Sequence, residues 1–262
     1  LRAQGTTPEV VWSDDDETRQ GVYFIEQGGR PRGTNVIYDR TDAAVTTATA
    51  DELATEFVER AGYLHTSGIT PALSETLEAT TADLLELAQE TGTTATFDVN
   101  YRSTLWSPAQ CEQVMTPLIA DHVDVLITTI EDMDKIHGMD CGRVKADEIV
   151  KGEIGQLDDE DVEAFLSQLI DKFDLRVAAV TIRYPDTHER HRWESAAMSG
   201  DAFFRSAEVR PIVLWDRLGG GDTWNGGFYY GLLTEADPAV AIRKGVVVGD
   251  AATRLKQTLM YD

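Results

Sequence analysis

Basic side chains are in short supply. The 262 residues carry 23 lysines and arginines against 46 aspartates and glutamates, a formal charge of −23 with the five histidines neutral, and only six of the basic residues are lysine. Such a surface repels phosphate backbones over most of its area, which excludes nucleic acid as a partner. An anionic substrate must then be met by a local group of arginines. The acidic residues are spread along the chain instead of being gathered in a tail. With lysine so scarce, this is the pattern of a protein from a salt-loving organism, where screening relieves the self-repulsion; an ordinary acidic enzyme is the alternative.

Long apolar runs are lacking too. No stretch approaches the roughly 18 apolar residues of a membrane span, and no basic segment followed by an apolar one stands at the start. No membrane partner is expected, and the protein reads as soluble and cytoplasmic. Cys111 and Cys141 are the only cysteines; with no CxxC pair they are expected to be reduced, structural thiols. His188 and His191 stand in a polar run without a Cys or a third His beside them, so solvated loop positions are expected for them and not metal ligation. Leu1 begins in mid-pattern without a Met, so a natural start upstream is expected.

What is present is enough hydrophobic sequence, 42% of the residues, to bury a full core as a single domain over 1–262. The most informative stretch is Trp215-Asp216-Arg217-Leu218-Gly219-Gly220-Gly221-Asp222-Thr223-Trp224-Asn225-Gly226-Gly227. An apolar run from Pro211 to Trp215 leads into it, and apolar residues at helical spacing follow from Thr223 to Leu233, so the three glycines are expected between a strand and a helix. Glycines let main-chain N–H groups approach an oxyanion, and a helix N-terminus adds donors and partial positive charge. Asp222 then stands where a carboxylate takes a proton from an attacking hydroxyl. A plain N-cap is the simpler alternative for Asp222. Neither a P-loop lysine nor dinucleotide-fingerprint spacing is present.

The rest of the chain alternates strand and helix. Gly21 to Glu26 and Asn35 to Arg40 predict an antiparallel hairpin, with Tyr23, Tyr38 and Arg40 on neighbouring strands. A helix is predicted over Asp51 to Ala61, then a strand at Tyr63 to Thr66 running into Ser67-Gly68-Ile69-Thr70-Pro71-Ala72-Leu73. Ser74 is the expected cap of a helix closed by Gly92. Next come a strand at Thr94 to Asn100, a helix at Pro108 to Ala120 and a strand at Val123 to Thr128, with Glu131 and Asp132 opening another helix. Met139 to Asp161 predicts a loop and Val162 to Phe173 a helix. Arg176 to Arg183 predicts a buried strand and Tyr184 to Arg192 a polar loop. A hairpin is expected over Ala196 to Gly200 and Phe203 to Val209, and a last helix over Ala239 to Leu255. This order implies a parallel sheet with ligands beyond the strands' carboxyl ends, where Asp98, Asn100 and Arg102 fall.

Several of these stretches carry a resemblance. Asp216 to Asp222 resembles the second signature of the ribokinase-like (PfkB) sugar kinases, with both aspartates and the flanking glycines in place while Arg217 and Gly220 depart from it. Gly21-Val22-Tyr23-Phe24, Tyr38-Asp39-Arg40, Ser67 to Leu73, and Asp98-Val99-Asn100-Tyr101-Arg102-Ser103-Thr104-Leu105-Trp106-Ser107-Pro108 are similar to the 2-keto-3-deoxygluconate kinases of that superfamily. The resemblance implies a twisted, mostly parallel sheet flanked by helices, with 21–40 as a small β lid through which copies associate. It implies ATP and Mg²⁺ as cofactors and a sugar acid as substrate. Tyr23, Tyr38, Arg40, Ile69, Arg102 and Asp262 would bind the sugar. Gly219, Gly220 and Gly221 would form the anion hole, Asp222 would be the base, and Arg102 would meet the carboxylate or the moving phosphoryl group. Asn100, Thr181, Arg183, Gly219 and Gly221 would face the nucleotide, while Glu131 and Asp132 would serve the metal, although the Asn of the family's Asn-x-x-Glu motif is absent. The family's first lobe is missing before Leu1, and Arg183-Tyr184-Pro185-Asp186 replaces its usual Gly-x-x-Gly. A kinase for a neutral sugar such as fructose or ribose, or a catalytically silent ligand-binding relative, are the alternatives.

Overall fold

The hairpin expected near the start forms. In the computed structural model, which describes residues 5–26, 28, 35–53, 55–142, 144–151, 157–185, 190–206, 211–213 and 218–258, β1 (Val22–Glu26) pairs antiparallel with β2 (Asn35–Asp39) and sets Tyr23 opposite Tyr38. These strands make a two-stranded sheet of their own. Tyr23, Phe24, Ile37 and Tyr38 on it are exposed. An ion pair from Arg19 to Asp39 ties the hairpin to the segment before it. The chain after it docks on the main body through Ser74, whose hydroxyl donates to the Thr46 carbonyl at 2.6 Å, and through Thr80, which donates to Ala48 at 2.9 Å.

Where one helix is expected over Asp51 to Ala61, there is a 3₁₀ turn at Ala50–Glu52 followed by a short α1 (Glu56–Arg60). The apolar residues here are too few to bury a longer amphipathic face: only Val58 of α1 is buried.

Seven strands build the main sheet. β3 (Tyr63–Ser67), β4 (Thr94–Asp98), β5 (Val125–Thr128) and β6 (Val177–Pro185) lie parallel in that order, linked by α2 (Glu75–Thr91), α3 (Pro108–His122), α4 (Ile130–His137), α5 (Ala146–Val150) and α6 (Asp159–Phe173). β7 (Arg190–Ser199), β8 (Ala202–Arg205) and β9 (Pro211–Val213) extend it in antiparallel fashion. The local signals for α2 hold: the Ser74 hydroxyl accepts from the Leu77 N–H at 3.1 Å, and Gly92 ends the helix with φ 73°.

Both faces of the parallel block are covered, so its strands read as near-continuous apolar runs. On one face Phe97, Leu126, Val180 and Ile182 pack with Leu85, Met115, Ile119, Phe165 and Leu169 of α2, α3 and α6. On the other, Val125, Ile127, Ala179 and Trp193 pack with residues of the last two helices, α7 (Gly220–Thr234) and α8 (Pro238–Thr258). Those two helices approach through glycine. A β-carbon on Gly231 would stand 2.2 Å from the Gly245 nitrogen, and one on Gly227 2.7 Å from the Gly249 Cα. No helix among the described residues is long and apolar enough to cross a membrane.

Among the described residues, parts of two expected loops are structured instead. Within Met139 to Asp161, Cys141, Ala146, Ile149 and Leu157 are buried around α5, and α6 already begins at Asp159. Sparse apolar residues three or four apart were enough to anchor a short helix in an otherwise polar stretch. The described ends of Tyr184 to Arg192 belong to a strand pair, with β6 running on to Pro185 and β7 starting at Arg190. Tyr184, at the start of this stretch, joins a buried polar network. Glu194 is fully buried and accepts from Tyr184 Oη and, at 2.7 Å, from Arg205 Nη2, while Arg205 Nη1 donates to Asp159 at 2.7 Å. His191 is buried on β7, not solvated in a loop, and His188 lies outside the described residues. Cys111 and Cys141 are free and buried, with thiols pushed up to about 12 chiefly by burial.

Candidate active site

The carboxyl end of β4 meets the first turns of α7. Gly219 caps that helix in the left-handed region, φ 61°, and α7 starts at Gly220, so two of the three glycines lie in its first turn and not in the connection before it. Asp222 is the third helical residue, exposed on the first turn; the capping position is taken by Gly219, which removes the N-cap alternative. The main-chain N–H groups of a first turn have no carbonyl four residues back to bond, so those of Gly220, Gly221 and Asp222 form a set of donors next to a carboxylate. Thr223 closes the cap by donating its hydroxyl to the Gly219 carbonyl at 2.6 Å, and the buried Thr253 of α8 donates to Gly220 at 3.2 Å.

Three carboxylates share this end of the sheet. Asp98, the last residue of β4, has its carboxyl pushed up to about 6, first by burial and then by the negative charges of Asp132 and Asp222; hydrogen bonds from Asn225 and from the Asn100 backbone pull the other way. The Asn225 amide donates to Asp98 Oδ2 at 2.8 Å. Asp132, in the first turn of α4, is likewise raised to about 6 by burial, opposed by the Tyr101 backbone N–H it accepts at 3.3 Å and by Lys135 and Arg102. Thr129 caps α4 by accepting from the Asp132 N–H at 3.1 Å. The charge of Asp222 is felt as well at His65, whose imidazole is lowered mainly by burial; its Nδ1 lies 3.0 Å from Thr96 Oγ1 and 2.8 Å from the Tyr229 hydroxyl.

The structure therefore brings together Asp98, Arg102, Asp132 and Asp222 with the glycine turn. Asn100, between Asp98 and Arg102, has φ 39°, an uncommon conformation for a side-chain-bearing residue, and aims its N–H back at the Asp98 carboxylate. Ile69 is half-buried in the loop after β3, where the Gly68 N–H donates to the Asp98 carbonyl at 2.9 Å. Thr181 and Arg183 stand on β6 beyond the last pairing with β5, on the face shared by α7. Glu131 is half-buried beside Asp132. Tyr23, Tyr38 and Arg40 remain on the lid, the Arg40 guanidinium 4.2 Å above the Tyr38 ring. Among the described residues no hydrogen bond or ion pair joins this lid group to Asp222. Asp216, Arg217 and Asp262 lie outside the described residues.

Sequence reading left Asn225, His65 and Tyr229 unassigned. One signal for Asn225 was available: an amide between Trp224 and Phe228, in a helix that is otherwise apolar on that side, one turn after Asp222.

The model of the pfkB carbohydrate kinases matches residues 9–259 of this chain. The chain belongs to the pfkB family of carbohydrate kinases. A 2-dehydro-3-deoxygalactonokinase of Haloferax volcanii is 39% identical over 262 residues, which make up all of this chain and 71% of that protein. A 2-dehydro-3-deoxygluconokinase of Bacillus subtilis is 31% identical over 116 residues, 44% of this chain and 35% of its own length. Among solved structures, the 2-dehydro-3-deoxygluconokinase of Thermotoga maritima superposes with a TM-score of 0.80 at 29% identity, over 94% of this pfkB kinase and 69% of the other chain. The lid hairpin and the mixed sheet flanked by helices are thus the architecture of a ribokinase-like kinase, and the acidic, lysine-poor composition agrees with a relative from a halophile.

Proposed function

We propose that this kinase transfers the γ-phosphoryl group of ATP to the terminal hydroxyl of a 2-keto-3-deoxy sugar acid, the gluconate or its galactonate epimer. The observation that carries the reading is the position of Asp222: an exposed carboxylate in the first turn of α7, beside the glycine N–H donors and at the strand end that holds Arg102. Asp222 takes the proton of the attacking hydroxyl. The N–H groups of Gly220 and Gly221, with the partial positive charge of the helix end, receive charge that develops on the phosphoryl oxygens. Arg102 meets an anionic group with its two-pronged guanidinium, and Arg40, Tyr23, Tyr38 and Ile69 hold the sugar acid from the lid and the β3 loop. Asn100, Thr181 and Arg183 face the nucleotide.

The acidic residues fit a magnesium ion of the kind that phosphate oxygens and water mostly surround. Among the described residues no group of three or more His, Cys, Asp or Glu forms a cage of protein ligands, while Asp132 is a desolvated carboxylate held away from its normal ionisation. Asp132 and Glu131 would hold the ion, which supplies neutralisation of phosphate charge.

Two further parts of the reading follow from the same chemistry. ATP as donor places the reaction in the cytoplasm. The exposed Tyr23, Phe24, Ile37 and Tyr38 of the lid support self-association through that hairpin, which light scattering across a concentration series tests.

A coupled assay in molar KCl over 2-keto-3-deoxygluconate, 2-keto-3-deoxygalactonate, fructose and ribose tests the reading. Turnover of the keto acids well above the neutral sugars is expected. Preference for fructose or ribose would reject the substrate class, and no turnover of any of them would favour a silent relative.

A further inference from the structure

We propose that Asn225 is a positioning residue, which by donating its side-chain amide to Asp98 holds the first turns of α7, and with them Asp222, against the end of β4 that carries Arg102. This rests on the kinase reading above for what Asp222 does, and on geometry alone for where it is held.

α7 is gripped on its far side by α8. The glycine seam sets the distance between the two axes, Trp224 Nε1 donates to the Asp250 carboxylate at 3.0 Å, and Thr253 bonds the Gly220 carbonyl. These polar contacts do not reach the parallel strands, which α7 otherwise meets through the apolar packing of Trp224 and Phe228 with Val125, Ile127 and Ala179. Among the described residues the one hydrogen bond from the first two turns of α7 to those strands is Asn225 to Asp98, at 2.8 Å. Asn225 is 4% exposed, so water cannot substitute for the partner it has. It follows Asp222 by three residues, on the same side of the helix, and a displacement at one is carried to the other.

The receiving end is just as constrained. Asp98 accepts from Asn225 of α7 and from the Asn100 backbone, and Tyr101, the residue after Asn100, gives its N–H to Asp132 of α4. Five consecutive residues, Asp98 to Arg102, therefore carry the substrate-facing arginine and fasten both the helix of the base and the helix of the acidic pair. Removing the Asn225 bond loosens the first turns of α7 from the end of β4, while its apolar packing on the sheet and on α8 and the fastening of α4 stay in place.

The test exchanges the two groups. Asn225→Asp sets carboxylate against carboxylate and breaks the bond. Adding Asp98→Asn restores a donor and an acceptor with their places reversed. For the full chain, Asn225→Asp is expected to lower kcat about 100-fold with KM for sugar acid and ATP changed by less than about threefold, and the exchanged pair to return to within about tenfold of the original. Hydrogen exchange gives a readout independent of turnover: the amides of the first two turns of α7 exchange faster in Asn225→Asp and recover their protection in the exchanged pair. Should Asn225→Asp fail to fold, Asn225→Ala removes the donor without adding charge and is expected to show the same loss. If the original protein turns over no sugar acid, the kinase reading fails while the exchange data still decide the positioning role. Unchanged turnover and protection in Asn225→Asp, or an exchanged pair no better than the single variant at equal Tm, would overturn it.

Discussion

A β-carbon on Gly231 would stand 2.2 Å from the backbone nitrogen of Gly245. The obstacle is main chain, which cannot rotate away as a side chain could. Alanine favours a helix over glycine by about 1 kcal/mol, but overpacking of this kind costs about 1–3 kcal/mol or more, so the clash decides the sign. Gly231→Ala is expected to lower Tm measurably and to reduce activity by splaying α7 from α8. A Tm equal to or above that of the original protein would show that the helices pack less closely than described.

Asp98 makes stability depend on pH in a direction opposite to most carboxylates. Its folded carboxyl is raised to about 6 from an ordinary value of 3.8, so its contribution to stability is fully present below the unfolded value and is lost as pH rises through 6. Asp98→Asn does not ionise and keeps an oxygen to accept from Asn225. It is expected to be more stable than the original protein above about pH 7, by about 1–3 kcal/mol, with the gap closing between pH 6 and pH 4. Thermal melts of both proteins across that range check it, and a gap that widens on acidification would be the wrong sign.

Arg40 stacks on Tyr38 in the lid. Arg40→Ala is expected to raise KM for a sugar acid about tenfold or more, the usual scale for losing a charge-assisted hydrogen bond, and to leave KM for ATP nearly unchanged. The reverse pattern in initial-rate measurements would move Arg40 to the nucleotide side.

Local chemistry made much of the fold legible. The Ser74 cap, the left-handed Gly92, the apolar runs of β4 to β6 and the glycine turn before Asp222 are each set by residues within a few positions of one another. What stayed hidden depends on distant partners. Asn225 and Asp98 are 127 residues apart, and nothing within either neighbourhood announces the other. The charged and histidine residues between Tyr184 and Arg192 made the ends of a strand pair look like a polar loop, although His191 is buried on β7 and Tyr184 bonds a buried Glu194 that only folding brings up. The stretch before α6 was hidden for a related reason, since only a few apolar residues, Cys141, Ala146, Ile149 and Leu157, anchor a segment that is otherwise mostly polar.

The central claim is that Asp222 is the base of a phosphoryl transfer. Asp222→Asn keeps the shape of the first turn of α7 and removes the proton acceptor. Measured side by side, kcat for a 2-keto-3-deoxy sugar acid is expected to fall by about 10²–10⁴, with Kd for ATP by calorimetry within a few-fold of the original. Undiminished turnover in that variant would contradict the account.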